Sequence, residues 1–176
     1  DQNQGNKVWL NNGSGSFTDS GQSLGSRYSR GIELADLDGD GDLDAFVANY
    51  NQGNRVWLND GSGTFTDSGQ ELRESSSIDR SYGVDLADVD GDGDVDAYVA
   101  NHSNEANKVW LNDGSGVFTD SGQDLGSYQS TDVDFADFDG DGDLDAYVSN
   151  QNQGNKVWLN DGSGSFTDSG LSLSNQ

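Results

Sequence analysis

The feature that most limits what this chain can become is that it repeats itself. The segment Asn6 to Asn11, reading Asn-Lys-Val-Trp-Leu-Asn, returns at Asn54 to Asn59 with Arg55 for the lysine, at Asn107 to Asn112 and at Asn155 to Asn160, at intervals of 48, 53 and 48 residues. A second block, Ala35 to Ala45, returns from Ala87 to Ala97 and from Ala136 to Ala146, in three copies only. The extra length of the middle interval falls in Glu71 to Gly83 and in Asn101 to Asn107. Insertions that avoid the periodic runs mark those runs as structural elements and the gaps as loops.

Each period reads as four short strands. In the first full period these are Gly31 to Ala35, Ala45 to Ala48, Arg55 to Leu58 and Thr64 to Asp67, none of helical length. Asn59-Asp60-Gly61-Ser62-Gly63 supplies a glycine-rich turn between the third and fourth strands, and the Asp-rich block joins the first two. Four strands in about 48 residues is the size of a propeller blade. The expected fold is all-β: tandem four-stranded blade-like repeats, three full blades plus a half, or seven hairpins. Within one repeat domain, 1–176, the half blade is expected at 6–22 and the blades at 31–70, 83–123 and 132–170. A closed propeller needs at least about four blades. The expectation is therefore an open stacked array or part of a β-propeller, and the near-identity of the last hairpin to the first predicts no special capping repeat at either end.

Composition matters next, because 32 Asp+Glu against eight Lys+Arg give a net charge of −24. Such a chain cannot neutralise a phosphate backbone or an anionic lipid surface, so no nucleic acid partner is expected. No apolar run reaches the ~20 residues of a membrane span, so none is expected either. The absence of Cys excludes a disulfide framework and thiolate metal sites. The absence of Met suits a processed or excised chain. Low apolar content and high charge alone would suggest disorder, but the aromatic residues recur at fixed intervals and the aspartates are clustered.

The clusters are the chemistry. Asp36, Asp38, Asp40, Asp42 and Asp44, with Gly39 and Gly41 between them, would repel one another unless a cation sat among them. Asp at positions 1, 3 and 5, Gly at 6, a main-chain carbonyl at 7 and Asp at 9 match the first half of a calcium loop. The twelfth-position Glu and flanking helices of an EF-hand are missing, so a β-hairpin loop closed by the ninth Asp is expected. The same pattern gives Asp88, Asp90, Asp92, Asp94 and Asp96, then Asp137, Asp139, Asp141, Asp143 and Asp145. Asp42, Asp94 and Asp143 are expected to ligate through main-chain carbonyls with their side chains facing water. One Ca2+ per loop, three in all, is the expected cofactor. Magnesium prefers a strict octahedron with retained waters, and zinc calls for His or Cys, of which the chain has only His102.

The unit Ala-Asp-x-Asp-Gly-Asp-Gly-Asp-x-Asp-Ala, followed by Asn-Lys-Val-Trp-Leu-Asn-Asp-Gly-Ser-Gly-x-Phe-Thr, resembles the FG-GAP/VCBS repeat family, over about Asn6 to Gly170. The resemblance implies integrin-α-like all-β blades, calcium in the loop of a β-hairpin with a mainly structural role, and an extracellular or cell-surface location. Blade number is where this chain departs from the family's closed ring. Glu33, Asp85 and Asp134 are acidic where a small residue is expected, and offer themselves as an added ligand or an interface lining.

Trp9, Trp57, Trp110 and Trp158, with Phe17, Phe65, Phe118 and Phe166, occur once per Trp hairpin. Val and Leu flank every Trp, which favours packing between blades over a sugar-stacking platform. Lys7, Arg55, Lys108 and Lys156 share one register and are expected to neutralise nearby aspartates. Asn12-Gly13-Ser14 and Asn101-His102-Ser103 fit the N-glycan acceptor pattern. His102 has no Ser or Cys partner at a matching register, and every paired carboxylate recurs in other copies, whereas an active site is normally unique. No enzyme is therefore expected. The leading expectation is an extracellular calcium-binding repeat protein with a structural or adhesive role, self-associating end to end into a filament or array, with a glycan or cell-surface protein as a further partner. The alternative is a fragment of a closed FG-GAP-type propeller that binds protein or carbohydrate.

Overall fold

The computed structural model describes residues 4–73 and 79–173, so residues 74–78 of the expected insertion lie outside it. A hairpin of β1 (Asn6–Asn11) and β2 (Phe17–Leu24) comes first. The first full sheet is β3 (Ser29–Ala35), β4 (Asp44–Asn49), β5 (Arg55–Asn59) and β6 (Phe65–Asp67), an antiparallel meander. The second is β7 (Ser81–Ala87), β8 (Asp96–Asn101), β9 (Glu105–Asn112) and β10 (Phe118–Asp120), with β11 (Leu125–Tyr128) also pairing on β9. The third is β12 (Ser130–Ala136), β13 (Asp145–Asn150), β14 (Asn155–Asn160) and β15 (Phe166–Leu173). The chain is all-β, built of tandem blade-like repeats.

The repeats keep one register. Ala45, Ala97 and Ala146 stand opposite Trp57, Trp110 and Trp158. Thr64 was expected to open the fourth strand but belongs to the turn: its carbonyl accepts the Asp60 N–H and its own N–H donates to Asp60 Oδ1. The strand starts at Phe65, one residue later. The fourth element also runs further than expected, through Leu72, whose backbone pairs with Asn54, and through β11 in the second sheet.

Period-two alternation sends side chains to opposite faces of each sheet, and both faces of the second sheet are covered. Phe46, Ala48, Leu37 and Val56 of the first sheet meet Val84, Ala97, Trp110 and Phe118 of the second. Tyr98, Ala100, Val89 and Val109 of the second meet Val133, Ala146, Trp158 and Phe166 of the third in the same way. Edge-to-face aromatic pairs seal both joints, Phe46–Phe118 at 5.4 Å and Tyr98–Phe166 at 5.6 Å. A glutamine clasps each joint: Gln22, Gln70 and Gln123 donate to the carbonyls of Gly63, Gly116 and Gly164 and accept the N–H groups of Phe65, Phe118 and Phe166.

The Trp residues therefore pack between blades, as the flanking residues predict. Trp57, Trp110 and Trp158 are buried, whereas Trp9, on the outer face of the leading hairpin, is 55% exposed. The far face is open too: Phe138 is 48% exposed where its counterparts Leu37 and Val89 are buried. Leu171 stands at the register of the clasping glutamines, and Ser149 at that of Ala48 and Ala100, so the last blade presents an altered outer face.

Candidate metal sites

Each Asp-rich block is the loop of a hairpin: β3–β4, β7–β8 and β12–β13. The glycines are what let it turn, since Gly39 and Gly41 sit at φ +77° and +92°, a left-handed region that a side chain resists. Carboxylate oxygens of Asp36, Asp38 and Asp40 come within 4.8 Å of one another in the first loop. In the second, Asp88, Asp90 and Asp96 do so, and in the third Asp137, Asp139 and Asp145. The first triad uses positions 1, 3 and 5 of the loop, the others positions 1, 3 and 9. Asp92 and Asp141, at position 5 of the later loops, each accept the N–H two residues on.

The ninth-position residues do more than the sequence reveals. Asp44, Asp96 and Asp145 are completely buried. Asp44 accepts Leu37 N–H at 2.8 Å and Asn59 N–H at 2.7 Å, so one carboxylate ties its loop to the Trp hairpin. Asp96 does this with Val89 and Asn112, and Asp145 with Phe138 and Asn160. Asp36 accepts the N–H groups of Gly39 and Gly41. The expectation that Asp42, Asp94 and Asp143 turn their side chains to water is corrected: these are half-buried against Gly61, Gly114 and Gly162, where a Cβ would collide with the carboxylate. The first two loops are also pinned by the blade that follows, as Asn112 Nδ2 donates to Leu37 O at 2.9 Å and Asn160 Nδ2 to Val89 O at 2.8 Å.

Burial, foremost, pushes the Asp96 carboxyl up to about 6. Lost hydration and neighbouring aspartates also raise Asp38, Asp90 and Asp139. Among the described residues no Lys or Arg forms an ion pair with any loop aspartate. All-oxygen donors, crowded and uncompensated, fit a hard cation; the loops can hold a metal ion.

Glu33, Asp85 and Asp134 join none of these triads. They lie on β3, β7 and β12, and Asp85 bridges two blades by accepting Phe135 N–H at 2.9 Å. Burial, foremost, raises Asp85; Glu33 is raised by burial and then by Asp85, Asp132 and Asp134. A group whose folded pKa is raised stabilises the fold at low pH and loses that contribution as pH climbs through the folded value. The metal-free protein should therefore melt higher at pH 4.5 than at pH 7. In saturating metal the order should reverse, because protons compete with the ion for the loop carboxylates and displace it as pH falls. Melts in chelator and in metal across this range check both signs.

The basic residues at the shared register behave as expected where ion pairs form: Arg55 with Asp67, Lys108 with Asp120 and Asp124, Lys156 with Asp168. Asn101 does not suit a glycan, being buried with Nδ2 donating to Ala106 O and Oδ1 accepting from Ser81. Asn12 is exposed. The opposite blade edge, away from the Asp loops, carries a run the sequence reading missed. Tyr28, Tyr50, Tyr82 and His102 follow one another at 5.6, 5.7 and 4.5 Å, and His102 Nε2 lies 3.1 Å from Gln151 Oε1. Its signal was present as the variable positions of an otherwise uniform repeat.

Fold and loops together define a tandem blade-like repeat protein whose acidic hairpin loops can hold a metal. The FG-GAP-like repeat family matches residues 1–47, 36–99, 88–148 and 137–176, and the chain belongs to that family. No curated protein matches it. Among solved structures it is similar to a chain of a Photorhabdus luminescens Tc holotoxin pore, at 18% identity and a TM-score of 0.33, over 97% of this chain and 11% of that one. Among the described residues no helix is long and apolar enough to cross a membrane.

Proposed function

We propose that this is a non-enzymatic, extracellular calcium-binding repeat protein with a structural or adhesive role, which associates end to end into a filament or array. The observation that carries the proposal is the pair of open faces. Inside the chain one blade face meets the next twice, through Leu37 and Phe46 on Trp110 and Phe118, then through Val89 and Tyr98 on Trp158 and Phe166. Phe138 and Tyr147 hold the first register on the last blade, and Trp9 and Phe17 hold the second on the leading hairpin, where Phe17 is 61% exposed. A head-to-tail contact of this kind gives fibres when successive rotations do not close into a ring.

Calcium is favoured by the donor set. In each loop the carboxylates of positions 1, 3, 5 and 9 would hold it, and it would supply charge compensation and no reaction chemistry. Loops of this kind in extracellular modules suit the high calcium found there. Repetition supports a structural role, since the three loops are alike. Sedimentation and negative-stain imaging at neutral pH test the proposal. Calcium should produce long assemblies that chelator disperses; a monomer in both conditions would sink end-to-end association. The aromatic run on the opposite edge favours a second reading, a segment of a closed propeller that binds protein or carbohydrate through its loops. Discrete rings would support it.

A further inference from the structure

Asn112 and Asn160 each keep one buried oxygen without a partner. The two residues are 5% and 4% exposed, and Oδ1 of each accepts no hydrogen bond. Turning the amides round would not relieve this. Asn112 Nδ2 commits its two hydrogens to Leu37 O at 2.9 Å and Val95 O at 3.1 Å, and Asn160 Nδ2 to Val89 O at 2.8 Å and Leu144 O at 3.2 Å, so a flipped amide would set oxygen against two carbonyls. Asn59, at the same register of the first blade, is satisfied, since its Oδ1 accepts the Gly63 N–H at 3.2 Å. The two orphaned oxygens belong to the turns that lie against the Asp loop of the blade before, with Gly114 O facing Gly39 and Gly162 O facing Gly91.

A cleft of about 280 Å3 opens between the second and third blades, lined by Asp88, Val89 and Gly91 on one side and by Asp143, Asn160 and Gly162 on the other. Its polar side chains are of one kind. The Asp143 carboxylate lies so close to Gly162 that a Cβ there would sit 2.6 Å from Oδ2, and among the described residues it has neither a hydrogen-bond donor nor a basic partner. Asp88 accepts the N–H groups of Gly91 and Gly93. Carboxylate, amide oxygen and carbonyl are all acceptors, and a water brings at most two donors to such a set, whereas a hard cation satisfies it whole. The volume also leaves room for waters that the ion retains. The first joint repeats the arrangement, with Asp94 against Gly114 as Asp143 is against Gly162.

We infer that each of these two joints holds a further calcium ion, set between blades and additional to the ion of either loop. In the second joint Asn160 Oδ1, the Asp143 carboxylate and Gly162 O would ligate it, with Asp88 shared between this ion and that of its own loop. In the first joint the same parts fall to Asn112, Asp94, Gly114 and Asp36. The seventh loop position then serves twice, its main-chain carbonyl toward the loop ion and its carboxylate toward the joint. The inference rests on the calcium reading of the loops and adds to it a tie between consecutive blades. Affinity follows the number of charged ligands. One unshared carboxylate per joint against four in a loop makes the joint ions the weaker class, so they fill after the loops.

Calcium bound per chain, counted by equilibrium dialysis at about 1 mM free ion in physiological salt, tests the inference. The unaltered chain should hold five ions, Asp143→Asn four, and Asp94→Asn combined with Asp143→Asn three. Asparagine keeps the bulk and the main-chain carbonyl, so the loop ions should stay and the melts in chelator should match. Asp42→Asn, beside the satisfied Asn59, should still hold five. The Phe166 N–H, which the Gln123 clasp holds across the second joint, should exchange about tenfold faster in Asp143→Asn with calcium present and at the original rate in Asp42→Asn. Three ions on the unaltered chain would overturn the inference and leave the loop reading standing. No bound ion at all would remove both. Five ions on the double variant would put the additional pair elsewhere on the acidic surface and overturn it as well.

Discussion

Chelation should lower the unfolding midpoint by roughly 20 °C, the largest change any single perturbation should produce. Each loop brings five carboxylates together and buries one of them completely, with no basic partner among the described residues. A ligand present at a hundred times its dissociation constant stabilises by about 2.7 kcal/mol per site. Three sites then contribute about 8 kcal/mol, comparable to the ~5–15 kcal/mol that separates folded from unfolded domains. At about 2–4 °C per kcal/mol for a chain of this size, the shift follows. The sites should also differ. The first two loops are pinned through Leu37 O and Val89 O by the following blade, whereas Phe138 faces outward, so calcium titration should show two tighter sites and one weaker. Identical melts in calcium and in chelator would sink the metal reading altogether.

Replacing Trp110 and replacing Trp9 should have opposite consequences, although both occupy one register of the repeat. Trp110 is 6% exposed and sits between the first two blades, so Trp110→Ala should cost about 3–5 kcal/mol and lower the melt by 10 °C or more. Trp9→Ala removes a largely exposed ring and should change the monomer by less than about 0.5 kcal/mol. If the leading hairpin docks on the last blade of another copy, Trp9→Ala should nonetheless abolish calcium-dependent assembly. Thermal melts and sedimentation on the two variants separate the effects. Assembly that survives Trp9→Ala together with Phe17→Ser would show that the open faces do not meet.

Much of this could be read from residue order alone. A period of 48 residues containing four runs of alternating apolar side chains leaves little but a four-stranded sheet, and glycines between aspartates leave little but a tight acidic loop. What escaped notice were effects that act between repeats. The glutamines at 22, 70 and 123 look like ordinary turn polar residues, yet each clasps the next blade at two points, so Leu171 at their register matters. The ninth Asp reads as one ligand among five, but it is the residue that joins each loop to the Trp hairpin. Its two backbone partners lie 7 residues back and 15 or 16 ahead, a pairing visible only once both hairpins share a sheet.

Local order thus specifies blade, loop and the charge gathered in it, because strand alternation, glycine turns and the repulsion between adjacent carboxylates all act over a few residues. Which copies of the repeat are finished and which are open is settled by stacking. Trp9 and Trp110 share the same local sequence, but among the described residues only Trp110 has a preceding blade to bury it. Arg30 is one cation among eight until the sheets assemble; packing then places it among three tyrosines. Desolvation and neighbour contacts depend on which faces meet, and that is a property of the folded stack.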